Sequence, residues 1–137
     1  MVRTRSVLGV VAVGGVIGAL ARYAVDSSLP WPGPPVIPWG TFTVNIVGSL
    51  ALGLLIPAFA HRWRHPLLRP FLAIGVLGGF TTFSAFALQG LLLLETGDLG
   101  AAAAYLLGSV ILGVIAAQLG IAITTRRLAP APPTGSP

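Results

Sequence analysis

Nine consecutive residues, Gly78-Gly79-Phe80-Thr81-Thr82-Phe83-Ser84-Ala85-Phe86, constrain this chain more than any others. They set two glycines, three hydroxyls and three phenylalanines inside an apolar run long enough to cross a bilayer. Irregular, polar backbone at membrane depth is tolerated only where protein buries it or where it lines a wet cavity. The segment therefore predicts a permeation or binding site inside a membrane-embedded fold.

Composition supports the membrane setting. Charged residues make up 8% of the 137 and hydrophobic residues 55%, with a mean hydropathy of +0.91. Soluble domains carry roughly 25% charged residues, so this chain has too few to cover a water-facing surface. In lipid the backbone must satisfy itself, which favours an all-α integral membrane fold. The length suits a single domain. The absence of cysteine excludes disulfide frameworks, thiol catalysis and cysteine metal sites. His61 and His65 have the i, i+4 spacing of a metal pair but no carboxylate beside them, and they read as a solvated loop. The net charge of +5 comes from arginine alone. These arginines flank apolar runs, so they report topology rather than nucleic-acid binding.

Four apolar segments, at about 7–25, 40–60, 67–94 and 99–123, predict four transmembrane helices. They form one transmembrane channel domain over 7–127, between a short N-terminus (1–6) and a Pro/Ala/Gly tail (128–137) expected to be disordered. Leu29 to Trp39 holds five prolines and cannot be helical. Its Trp31 and Trp39 suit a membrane interface. His61 to Pro66 is a basic loop, and Glu95-Thr96-Gly97-Asp98 a tight acidic turn. As one rod, the 28 residues of the third segment would span about 42 Å against a hydrocarbon core of roughly 30 Å. Tilt would absorb the excess. A break at Gly78-Gly79 would absorb it too, and would free backbone carbonyls within the membrane.

The first segment also has the outline of a secretory signal peptide, with Arg3 and Arg5, an apolar run and Ala19-Leu20-Ala21. Three further spans follow, and Gly14, Gly15 and Gly18 form a helix-packing pattern that a discarded leader would not need. Retention is the expectation. Arg3, Arg5, Arg62, Arg64, Arg69, Arg126 and Arg127 fall on one side, with Arg22 alone towards the other. This bias places both termini in the cytoplasm of a multi-pass protein. Small residues recur in the second and fourth segments at Gly48, Gly53, Ala104, Gly108 and Gly113. Four short helices leave little room for a pore in one chain, so an oligomer is expected.

The predicted spans contain no Asp, Glu, Lys or His apart from acids at their ends. Ion-coupled transport usually needs a buried ionisable group, and an enzyme needs an acid/base pair. Neither is present. The intramembrane polar groups are neutral and aligned. Thr41, Asn45 and Ser49 share one helical face, and Tyr105, Ser109 and Gly113 share another. The third segment adds Thr81, Thr82, Ser84 and Gln89. Such donors can dehydrate a small anion without trapping it. The plainer alternative is that the hydroxyls bond back to their own helices. Asn45 fits that alternative least, because burying an unsatisfied amide costs about 1–3 kcal/mol. Phe83 and Phe86, at i and i+3, would ordinarily be core or lipid-facing. Their electropositive ring edges could also face an anion.

Three motifs in order, one per helix, resemble the Fluc/CrcB fluoride channels of prokaryotic membranes. They are Gly14-Gly15-x-x-Gly18-Ala19-x-x-Arg22-Tyr23, Gly40-Thr41-x-x-Val44-Asn45-x-x-Gly48, and Gly78-Gly79-Phe80-Thr81-Thr82-Phe83-Ser84-x-Phe86. The resemblance runs from about Gly14 to Arg127. It implies an antiparallel, dual-topology dimer of four-helix subunits in the cell (inner) membrane, with the third helix broken at its centre and two fluoride pores along the interface. It implies Asn45 as a pore donor, Phe83 and Phe86 as the ring-edge pair, and Thr82 and Ser84 as parts of the polar track. Tyr105 and Ser109 match the polar line of the fourth helix, and Arg22 matches a structural arginine. The carbonyls of Gly78 and Thr81 from both subunits would hold a structural Na+ on the two-fold axis. Similar proteins usually have threonine where this chain has Ala85, some have glutamate at Gln89, and some have serine at Gly113.

The implied function is passive fluoride export that relieves toxicity. A homodimer of this kind needs both insertions of one chain, whereas seven arginines against one commit this chain to one orientation. An oppositely oriented paralogue is therefore the expected alternative partner. A small multidrug-type transporter would need a buried acid in the first helix, where this chain has glycines. A non-transporting assembly subunit would leave the polar lines without purpose.

Overall fold

The computed structural model describes residues 4–63 and 65–128. Arg3, Arg64 and the expected C-terminal tail beyond Leu128 lie outside the described residues. Helix α1 covers Thr4–Ser28 and α2 covers Trp39–His61. The third span, Pro70–Glu95, comprises a π-helical segment Pro70–Val76, a short α3 (Leu77–Phe80) and α4 (Phe83–Glu95). Helix α5 covers Leu99–Leu128. Four helices are thus long and apolar enough to cross a membrane, and the described residues contain no strand.

Local chemistry sets the ends of these helices. The proline-rich stretch after α1 is non-helical because its prolines lack the N–H a helix needs. It is held by the Trp31 indole donating to the Val36 carbonyl. Gly97 takes a φ of 78° in the acidic turn, a conformation that favours glycine. Asp98 then caps α5, its Oδ1 accepting from the Ala101 N–H at 2.9 Å.

The helices associate as two close pairs. Helix α1 lies backbone to backbone on the first half of the third span, and α2 lies on α5. A methyl group added at Gly14 would stand 2.6 Å from the Phe71 carbonyl oxygen, and one at Gly120 would stand 2.5 Å from that of Leu50. Between membrane helices, where lipid is as apolar as leucine, such glycine contacts supply the packing. The densest core lies at the acidic-turn end. There Leu93, Ala102 and Tyr105 are fully buried against Phe42, Phe86 and Leu106. Many of the remaining large aliphatic side chains point outward.

The third span is broken one turn later than the glycines suggest. Thr81 and Thr82 are extended, with φ/ψ of −82°/158° and −147°/123°. Gly78 and Gly79 form the last turn of α3 instead. Gly79 is needed for contact, because a methyl there would overlap the Gly15 carbonyl of α1. The break itself is made by a side chain of α2. The π-helical winding at Pro70–Val76 has no signal in the sequence pattern.

Candidate functional site

In an unbroken helix the Thr82 N–H would donate to the Gly78 carbonyl, four residues back. Here it donates to Asn45 Oδ1 at 2.9 Å, and Asn45 Nδ2 donates to the Thr82 carbonyl at 3.0 Å. The Asn45 amide thus pairs with both backbone groups of one residue, as a neighbouring antiparallel strand would. This satisfies two backbone groups that would each cost about 1–3 kcal/mol if buried unpaired. The Gly78 carbonyl loses its helical donor, and Gly78 is exposed.

Other groups fix the break. Thr81 Oγ1 donates back to the Leu77 carbonyl at 2.9 Å. The Arg22 guanidinium reaches across from α1 to the Thr81 carbonyl at 3.4 Å. Gly48 on α2 leaves room for the Thr81 methyl, which a Cβ at that position would overlap. On the far side Thr82 caps α4, its Oγ1 accepting from the Ala85 N–H at 3.2 Å. The same hydroxyl meets Ser84 Oγ at 3.3 Å.

These residues surround a cavity of about 340 Å³, lined by Asn45, Ser49, Gly78, Thr81, Thr82 and the rings of Phe83 and Phe86, among others. No ionisable side chain lines it. The Phe83 and Phe86 ring centroids are 5.9 Å apart, and Phe86 lies 5.5 Å from Tyr105. Phe83 is 80% exposed although it stands at the middle of a membrane span.

The remaining residues singled out from the sequence fall elsewhere. Thr41 is buried beside a second, outer cavity that includes Asp26 and Gln89. The Tyr105 hydroxyl donates to Gln89 Oε1 at 3.0 Å. Ser109 Oγ donates back to the Tyr105 carbonyl at 2.6 Å, the helix-internal bond that serines commonly make. Neither Tyr105 nor Ser109 lines the Phe83 cavity. The described residues contain no group of three or more His, Cys, Asp or Glu able to hold a metal.

Sequence reasoning missed two contacts, Asn45 with the Thr82 backbone and Gly48 with Thr81. The i, i+3 spacing of Asn45 and Gly48 places both on the α2 face that meets the break, which is the signal available beforehand.

Four spans with an interrupted third helix and a neutral, ring-bordered cavity define a multi-pass membrane protein of the channel class. Comparison with known proteins agrees. The family described as "CrcB-like protein, Camphor Resistance (CrcB)" matches residues 9–121. The chain is 47% identical over 115 residues to a protein of Nitrobacter winogradskyi named "Fluoride-specific ion channel FluC", a match covering 82% of this chain and 90% of the relative. A protein of the same name from Rhodospirillum centenum is 50% identical over 115 residues, with the same coverage. "Fluoride-specific ion channel FluC 2" of Nocardia farcinica is 44% identical over 117 residues, covering 84% of this chain and 82% of that one. This chain belongs to the CrcB-like family.

Proposed function

We propose that this protein is a fluoride-selective channel that lets the ion leave the cell passively. The observation that carries this reading is the break at Thr81–Thr82. It opens the backbone at the centre of a span and surrounds it with uncharged donors and aromatic edges. The names of the curated relatives support the choice of ion. Fluoride arrives as the neutral acid when the outside is acidic, and ionises within. An inside-negative potential then favours its exit by about 2.3 kcal/mol per 100 mV. No coupling ion is required, which suits a cavity with no ionisable side chain in its lining.

Permeation divides between the two sides of the break. Fluoride gives up water to neutral hydroxyl and amide donors, which hold it weakly enough to release it. Asn45 commits one amide hydrogen and its oxygen to Thr82. Its second N–H is left to donate to the ion. Phe83 and Phe86 offer positive ring edges as the anion passes.

The working unit is an antiparallel dimer, either of two copies or of this chain with an oppositely inserted paralogue. The outward exposure of Phe83 and Gly78 supports this. Both sites would then be completed by the partner. A sodium ion at the centre of such a dimer fits the donors present. The Gly78 carbonyl is released from its helical donor, and the Thr81 carbonyl keeps one lone pair beside the Arg22 bond. Two copies would bring four such oxygens, a hard donor set that suits a hard cation.

Fluoride efflux from liposomes containing the protein, alone and with its paralogue, tests the proposal. Efflux should be fast only where a dimer can form, and Asn45→Ala or Phe83→Ile should slow it sharply. Equal efflux from wild type and both variants would remove the cavity from the conduction path.

A further inference from the structure

The two helix pairs part at the arginine-rich end of the bundle. The C-terminal turns of α2 and α5 stand off from the π-helical segment and α3, leaving a cleft of about 630 Å³. Its inner walls are aliphatic, with Leu54 and Leu55 facing Leu72, Val76 and Leu77. Among the described residues the one hydroxyl inside, that of Thr124, is already committed to the Leu54 carbonyl at 3.0 Å. At the mouth stand Arg62, Arg127 and the indole of Trp63. Trp63 packs edge-on against Phe59, with centroids 6.0 Å apart. No acidic side chain lines the cleft to neutralise the two guanidiniums.

We infer that this cleft is a binding site for one anionic phospholipid. The chemistry is divided by depth in the way such a molecule is divided. Two guanidiniums and an indole lie where a phosphate headgroup sits, and a wall without free donors lies where an acyl chain sits. Basic pockets between spans recognise anionic headgroups in this way, and tryptophan favours the same interfacial level. A hydrated inorganic anion would find its phosphate-sized charge met at the mouth but nothing to replace its water below. The site is separate from the conduction cavity, which it meets only at Leu77. It does not depend on the fluoride reading. The leaflet it faces follows from the arginine bias, which places this end in the cytoplasm.

The test is native mass spectrometry of the full chain, purified in detergent and mixed with phosphatidylglycerol, phosphatidylcholine or soluble glycerol 3-phosphate. Wild type should retain phosphatidylglycerol and neither of the others. The double variant Arg62→Gln/Arg127→Gln should bind phosphatidylglycerol about thirtyfold more weakly, roughly fivefold for each guanidinium. Arg5→Gln/Arg126→Gln removes the same charge from the same end without touching the cleft, and should bind like wild type. Equal losses in the two double variants would reduce the effect to general surface charge and overturn the site. Glycerol 3-phosphate binding as tightly as the lipid would overturn it as well. So would phosphatidylglycerol retained undiminished by Arg62→Gln/Arg127→Gln, as expected if another part of the assembly fills the cleft.

Discussion

At Asn45 one amide supplies what the helix gives up, holding both the N–H and the carbonyl of Thr82. Asn45→Ala should therefore lose stability as well as efflux. The unfolding free energy should fall by roughly 2–6 kcal/mol, about 1–3 for each of the two unpaired backbone groups, measured by denaturation in detergent. Phe83→Ile separates the two effects. Its ring is 80% exposed in the lone subunit, so the stability of the subunit itself should stay within about 0.5 kcal/mol of wild type while fluoride efflux drops. A Phe83→Ile protein that conducts normally would make the ring a lipid-facing side chain and nothing more. The sequence singled out Asn45 because a buried amide demands partners. It could not say which, since a backbone carbonyl and a passing anion would both accept from its amide hydrogens. Tyr105 and Ser109 were readable as polar, but not as bonded inward, because helical spacing fixes a face and not a rotamer.

Between elements the decisive fit is Gly48 of α2 against the Thr81 methyl. Gly48→Ala should push the break out of place, costing about 1–3 kcal/mol by overpacking, with most of the efflux lost. Adding Thr81→Ser removes the obstructing methyl and keeps the hydroxyl that bonds Leu77. The double variant Gly48→Ala/Thr81→Ser should recover efflux toward wild type, read in the same liposome assay. Failure of this rescue would show that Gly48 serves something other than the break. The four spans were legible at this scale because apolar runs bounded by arginine, proline and an acidic turn leave few alternatives. The break was legible as a region but misplaced by one turn. Glycine serves both kinks and close contacts, and here Gly79 serves the contact with α1. The π-helical turn at Pro70–Val76 depends on how that span lies against α1, which no local pattern encodes.

For the whole molecule, the distribution of arginine is the quantity to test. In the sequence seven arginines flank the spans at one end, while Arg22 meets the mid-span break; this bias should give a single insertion in cells, read by labelling tags at each terminus from outside. Neither terminus should label in intact cells. An even division would make the chain its own partner. If insertion is single, purified protein alone should give slow fluoride efflux, and addition of an oppositely inserted paralogue should raise it sharply.

Phe83 and Gly78 both stand on the outside of the subunit. In the dimer proposed above, a freshly made copy would carry half a conduit, open along its flank. Until a second subunit closed that flank the ion would have no continuous path, so unassembled copies would not make the membrane leaky. With an unlike partner, the number of open routes would follow the supply of the scarcer subunit rather than total protein.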